Sequence, residues 1–155
     1  MSEFPHNGRI ESISVRPVRR QMPVPVDQVN VIADQGLEGD HYAKAGGNRQ
    51  VTLIQAEHLE AVAHFLQQDQ IDPLLTRRNI VVSGINLQAL KDRKFRLGKE
   101  VILEGTGDCH PCSRMEENFG FGGLNAMRGH GGITARVIKG GFIQIGDALV
   151  DLAKE

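Results

Sequence analysis

Cys109-His110-Pro111-Cys112 contains both cysteines of this 155-residue chain, so any thiol chemistry is confined to this segment. A thiolate is a nucleophile and a soft metal ligand, and a neighbouring cation favours its formation. Arg114 follows Cys112 by two residues. Shortly afterwards comes a glycine-dense run, Gly120 to Gly132, that includes Asn125, Arg128, His130 and Gly131. Glycines let successive backbone N–H groups converge on an anion, and an arginine adds a planar donor fork suited to phosphate or carboxylate. A soft sulfur ligand therefore stands beside a candidate anion-binding loop. The plainer reading, in which the glycines only make a tight turn ahead of a strand, carries equal weight on spacing alone.

Three chemistries compete for the cysteine segment. Zinc requires about four ligands, and Cys109, Cys112, His110 and His130 are the available set, but no second ligand pair follows at finger or ribbon spacing. A redox dithiol of the C-x-x-C type favours thiolate chemistry at a helix N-terminus, and a helix over Ser113–Asn118 would supply one, although the surroundings read as strands. In the third, one thiol serves as a soft ligand or sulfur-handling nucleophile beside an anionic cofactor, with Arg114, Arg128 and His130 near it in sequence. Further donors lie upstream. In Arg77-Arg78-Asn79, strand alternation places Arg77 and Asn79 on one face and Arg78 on the other. Asp40, His41 and Arg49 sit in or beside an earlier glycine loop, a position that favours function. His58 and His64 fall within a helix and read as ordinary helix residues.

These groups need a scaffold, and composition bounds it. A chain of this length can bury its own core as one domain, here residues 1–155 with the core over about 8–150. Hydrophobic residues make up 40% and charged residues 24%, with a formal net charge of −1. So balanced a charge gives no field to gather nucleic acid or an anionic membrane, and an anion site must be local. No apolar run approaches the roughly 20 residues that span a bilayer. Residues Met1–His6 lack the basic and apolar regions of a secretory signal, and two cysteines make no disulfide scaffold, so reduced thiols in a cytoplasm are expected. Glycine is the outlier: of 18 glycines, 12 fall at or after Gly98. The excess gathers around the cysteines and is not spread as linker.

Strand signals recur at short intervals. Gly8–Val18 alternates around Ile13 and Val15, and Met22–Ile32 reads as extended, with Pro23 and Pro25 confining its first half to an edge. Val51–Ile54 leads into the clearest helix, Gln55–Gln68, whose Leu59, Val62, Ala63 and Leu66 form one apolar stripe. Asp72-Pro73 resembles a cap with a first-turn proline. Arg77–Val82 reads as a strand, and Phe95–Leu103 as strands about a Gly98-Lys99 turn. Ile133–Lys139 and Phe142–Ile145, joined by Gly140-Gly141, read as a hairpin, and Ala148–Leu152 as a last strand. Many short strands with one or two helices predict a mainly β, α+β, barrel-like fold.

Taken in order, several segments resemble the MOSC domain, found at the C-terminus of molybdenum-cofactor sulfurases and as small stand-alone proteins. They are Gly36–Asp40, Gln50–Glu57, Arg77–Asn86, Gly107–Cys112, the glycine-rich run and Ala135–Ile138. Their order and spacing cover approximately Gly8 to Val150. The resemblance implies a MOSC-type β-barrel, a molybdopterin-type molybdenum cofactor, and Cys112 as the molybdenum ligand or sulfur-handling thiol. By position it makes Arg77, Asn79, Asn125 and Arg128 candidates for the pterin phosphate or the cofactor surroundings. The function implied is sulfur transfer or carriage independent of pyridoxal phosphate, with a sulfur donor as partner. An alternative is molybdenum-dependent reduction of N-hydroxylated compounds with an electron-donor protein. One departure is local: many relatives read Gly-Asp-Arg-His where this chain has Gly39-Asp40-His41-Tyr42.

Overall fold

A strand has two edges, and the way this chain uses them decides its architecture. The computed structural model describes residues 4–111 and 114–152. Its strands are β1 (Gly8–Val15), β2 (Val24–Val26), β3 (Gln28–Ile32), β4 (Gly36–Leu37), β5 (Val51–Gln55), β6 (Ile80–Ser83), β7 (Lys94–Leu97), β8 (Val101–Asp108), β9 (Ile133–Lys139), β10 (Gly141–Gln144) and β11 (Ala148–Asp151). Its helices are α1 (Ala56–Phe65), α2 (Arg114–Phe119) and α3 (Gly123–Met127), with 3-10 turns at Pro73–Thr76 and Leu87–Leu90. Pairing runs β1-β6-β5-β9-β8-β7-β11, and β11 returns to β1, closing a seven-stranded barrel. β2 lies outside the ring on β1, with Pro25 opposite Ser14, on the edge where a residue without an N–H is tolerated. A small second sheet runs β10-β3-β4.

Within the barrel β5 and β6 are parallel. Parallel neighbours require a crossover, and α1 is carried on it. Alternation then sorts the side chains of these two strands between two cores. Val51, Leu53, Ile80 and Val82 face the barrel interior with Ile10, Phe95, Leu103 and Leu149. Ile54 and Val81 face outward and meet Leu59, Val62 and Ala63 of α1, together with Met115, Phe119, Ala126 and Met127 of α2 and α3. The predicted helical stripe thus buries a cap on the outer face of β5 and β6. Fully burying each such aliphatic side chain contributes on the order of 1.5–3 kcal/mol.

Three local expectations are corrected. Ile133–Lys139 and Phe142–Ile145 do not form a hairpin: β8 holds one edge of β9, the other is met by β5 over Ile133–Ala135 and by the Asp34 N–H and the Gln50 side chain at Val137, and β10 pairs instead with β3. Gly140 makes the change of sheet possible, because a Cβ there would run into the Val31 carbonyl. The strand expected from Arg77 begins only at Ile80; the Pro73–Thr76 turn, capped by Asp72 accepting from the Leu74 N–H (3.0 Å), ends at Arg77 with φ 60°. Finally, half of the expected glycine loop is helical. Gly122, at φ 88°, caps α3, and Gly123 packs against the Met115 carbonyl where no side chain fits.

The loop between β4 and β5 is fastened to the barrel by a buried ion pair. Arg16 and Asp40 are 4% and 7% exposed. Arg16 donates from Nε (3.0 Å) and Nη2 (2.9 Å) to the two carboxylate oxygens, its backbone N–H adds a third bond (2.7 Å), and Tyr42 stacks 4.3 Å from its guanidinium carbon. Removing one partner strands the other charge without water. Asp40→Ala is expected to cost about 3–5 kcal/mol, read as a lowered midpoint in chemical denaturation.

Candidate functional site

β8 ends at Asp108, paired with Ile133 of β9. The chain then continues one bond further, with the Cys109 N–H donating to the Gly132 carbonyl at 2.9 Å. This holds the first residue of the cysteine motif against the glycine loop. Cys109 is 2% exposed, and its sulfur accepts a hydrogen bond from Arg49 Nη2 at 3.6 Å. Arg49 sits just before β5, which pairs with β9.

Arg78 closes the other side. Its Nε donates to the Gly131 carbonyl (2.7 Å), Nη1 to Thr76 (3.1 Å), and Nη2 to the Cys109 and His110 carbonyls (3.3 and 3.4 Å). One guanidinium therefore fixes both the cysteine segment and the glycine loop. Between them lies a cavity of about 240 Å³, walled by Asp108, Cys109, His110, Gly129, Gly131 and Gly132. At its margin Lys91 pairs with Asp108 at 3.1 Å. Gly131 and Gly132 are required for closeness: a Cβ on the first would meet the Cys109 carbonyl, and one on the second the Leu53 carbonyl. The site offers a sheltered thiol with the Arg49 guanidinium against it, and Arg78 beside it holds the backbone, an arrangement suited to a soft ligand near negative charge.

The structure brings Cys109, His110 and Gly131 together. Cys112 lies outside the described residues, and Arg114 is placed only as the first residue of α2. The remaining sequence candidates fall outside the cavity wall. Asn79 is 1% exposed; its Oδ1 accepts from the Thr52 N–H, the Thr52 hydroxyl and Arg16, and its Nδ2 donates to the Ser14 carbonyl. Arg77 donates from Nη1 to the Gln21 carbonyl (2.6 Å), while its buried Nη2 has no partner. Asn125 and Arg128 are exposed at the end of α3. The His130 ring turns towards α1, against His58 and Phe65. Burial holds His58 below the ordinary histidine range, His130 adds to that effect, and Glu57 opposes it.

Arg78 is the residue the sequence reading missed. Alternation assigned it to the face opposite Arg77 and Asn79, and the turn at Arg77 resets that alternation. Arg49 carried only its loop position as a signal. Among the described residues no group of three or more His, Cys, Asp and Glu could hold a metal ion, and His130 does not join Cys109 in a zinc set. Nor is any helix among them long and apolar enough to cross a membrane.

A seven-stranded barrel with a thiol cleft at the end of β8 defines a known class. The MOSC domain model matches residues 40–150, and the chain belongs to that family. The family is associated with molybdenum-cofactor-related binding or sulfur chemistry. Solved structures share the fold at 18% identity. The YuaD protein from Bacillus subtilis has a TM-score of 0.81, over 93% of this chain and 94% of that one. YiiM from Geobacillus stearothermophilus has 0.75 (95% and 76%), and YiiM from Escherichia coli 0.73 (97% and 72%). No curated protein matches the chain.

Gly131→Ala tests the close approach. The overlap with the Cys109 carbonyl is expected to cost about 1–3 kcal/mol in chemical denaturation and to raise the alkylation rate of Cys109. Gly47→Ala, whose Cβ would have its nearest neighbour at 3.4 Å, serves as the control and is expected to stay within about 0.5 kcal/mol.

Proposed function

We propose that the cleft beside Cys109 holds a molybdopterin-type molybdenum cofactor and that the protein carries or transfers sulfur at that centre. The observation that carries this reading is Cys109, contacted by Arg49, on the wall of a cavity whose facing wall is glycine backbone. The donor set fits such a group. Arg49 would hold negative charge beside the thiol. The loop Gly129–Gly132 admits a flat or bulky ligand where side chains would block it, and Arg78 keeps that loop and the cysteine segment at fixed separation. Cys112, by its family position, would be the soft ligand to the metal or the thiol that bears sulfur.

When bound, the cofactor would supply a soft metal centre able to take up and release sulfur. The chain's own contributions are shelter and charge. Cys109 is removed from water, which protects a sulfur species from bulk hydrolysis and oxidation. Arg49 donates to that sulfur at 3.6 Å and sets a positive charge beside it. His110, exposed on the cavity wall, is placed to exchange a proton with an incoming group. A sulfur-donor protein is the partner this reading requires. A reducing compartment such as the cytoplasm suits thiol chemistry at this segment.

The decisive measurement is metal and pterin content after expression in a host that makes the cofactor. Wild type is expected to carry both, and Cys112→Ala to lose the metal. Arg49→Gln, which removes a supporting contact and leaves the ligand, is expected to weaken retention by about 10–100-fold. Wild type emerging empty, or all three proteins retaining metal equally, overturns the assignment.

A further inference from the structure

His58 on α1 and His130 in the loop after α3 meet edge to face, with ring centroids 4.9 Å apart and planes at 67°. Phe65 covers His130 at 5.7 Å and 34°. The Nδ1 atoms of both histidines are buried, and neither has a hydrogen-bond partner. A neutral imidazole tolerates such a nitrogen as a bare lone pair. Protonation would put an N–H⁺ there without water or acceptor, and charging both rings would set like charges in contact. The charged groups that act on His58 are Glu57 on its own helix and His130 on the facing loop. Glu57 is itself engaged by the Gly84 N–H at 2.9 Å and by Gln55 at 3.3 Å.

The contact is continuous with the cleft. The His130 N–H donates to the Met127 carbonyl at 2.8 Å, and the next two residues present carbonyls to Arg78 and to the Cys109 N–H. The ring contact and the cavity wall are therefore one short segment, Arg128 to Gly132, with exposed positions at Arg128 and Gly129 and buried ones at Gly131 and Gly132.

We propose that the His58–His130 contact is a proton-operated latch on the cleft wall: neutral rings hold the glycine loop against α1, and protonation releases it and opens the cavity beside Cys109. The latch concerns the wall itself, whatever the cavity binds. With its folded value held below the ordinary 6.5, His58 takes up a proton more readily in the open state. The latch is thus fully engaged above that ordinary value. It is lost as pH falls through the lowered one.

Amide hydrogen exchange of the segment 128–133, corrected for the intrinsic pH dependence of exchange, reads the opening directly. Between about pH 7.5 and about pH 5.5, protection in the wild type is expected to fall several-fold as His58 takes up its proton. Protection of β5 and of the rest of β9 is expected to hold. His58→Gln removes the ring that takes up the proton and His130→Gln removes the ring it meets, and either is expected to abolish the fall; two variants cover the case in which one does not fold. Constant protection in the wild type, an equal fall in a folded variant, or a parallel fall throughout β9 overturns the latch. None of these readings depends on bound metal or pterin.

Discussion

A guanidinium removed from water must find acceptors for its donors, and Arg78 meets this demand with carbonyl oxygens from three parts of the chain. It bonds Thr76 on its own segment, Cys109 and His110 beyond β8, and Gly131 ahead of β9. Hydrogen bonds to a charged group contribute about 1.5–3 kcal/mol each, and a carbonyl deprived of its donor in a buried place carries the opposite penalty. The separation of the cysteine segment from the glycine loop therefore follows from the span of one side chain. The Cys109 N–H to Gly132 bond sets the same two strands of backbone from the other edge. A cavity results because nothing with a side chain can occupy the gap.

The two neighbours of Arg78 face elsewhere, and this is what gives the segment its leverage. At Arg77 the backbone turns through the left-handed region. Asn79 lies buried between strands, where it receives donors from β5 and from Arg16 and donates to β1. Through Arg16 the network continues to Asp40 and the loop after β4. A chain of buried polar groups thus runs from Asp40 to Asn79, and one residue earlier it passes to the cleft. In a low-dielectric interior such a network is stabilising only when its members are satisfied, so its parts are fixed together.

The legibility of these features in sequence follows their range. The β5–α1–β6 unit was readable because its signals are local: a short apolar strand, then an apolar stripe at helical spacing. The thiol and the glycine loop were readable as chemistry by residue type, and Cys109, His110 and Gly131 do meet. The Gly140-Gly141 segment carries every local mark of a hairpin turn, yet β10 leaves for another sheet, while the edge of β9 it would have used is met at Val137 by the distant Asp34 N–H and Gln50 side chain. Arg77 and Asn79 failed as a shared face for a smaller reason: one residue with positive φ breaks the alternation. α3 was hidden because glycine suggested a loop, whereas Gly123 is needed so that α3 can pack on the Met115 backbone.

The cleft lies at the seam between the two cores, where the barrel ends and the helical cap begins. There the chain just beyond β8 and just before β9 contributes backbone: the carbonyls of Cys109, Gly131 and Gly132 and the N–H of Cys109. The side chains of Arg49, Cys109 and His110 come from connections between elements. Barrel residues answer to packing, and many apolar sets satisfy it. Loop residues answer to the ligand. The same barrel is kept at 18% identity in YuaD and YiiM, which is what a scaffold held by pairing and by backbone acceptors permits. Changing the chemistry of such a site requires changing only the few side chains that the connections present, provided that the arginine holding the two backbones apart, and the glycines that leave the space empty, stay in place.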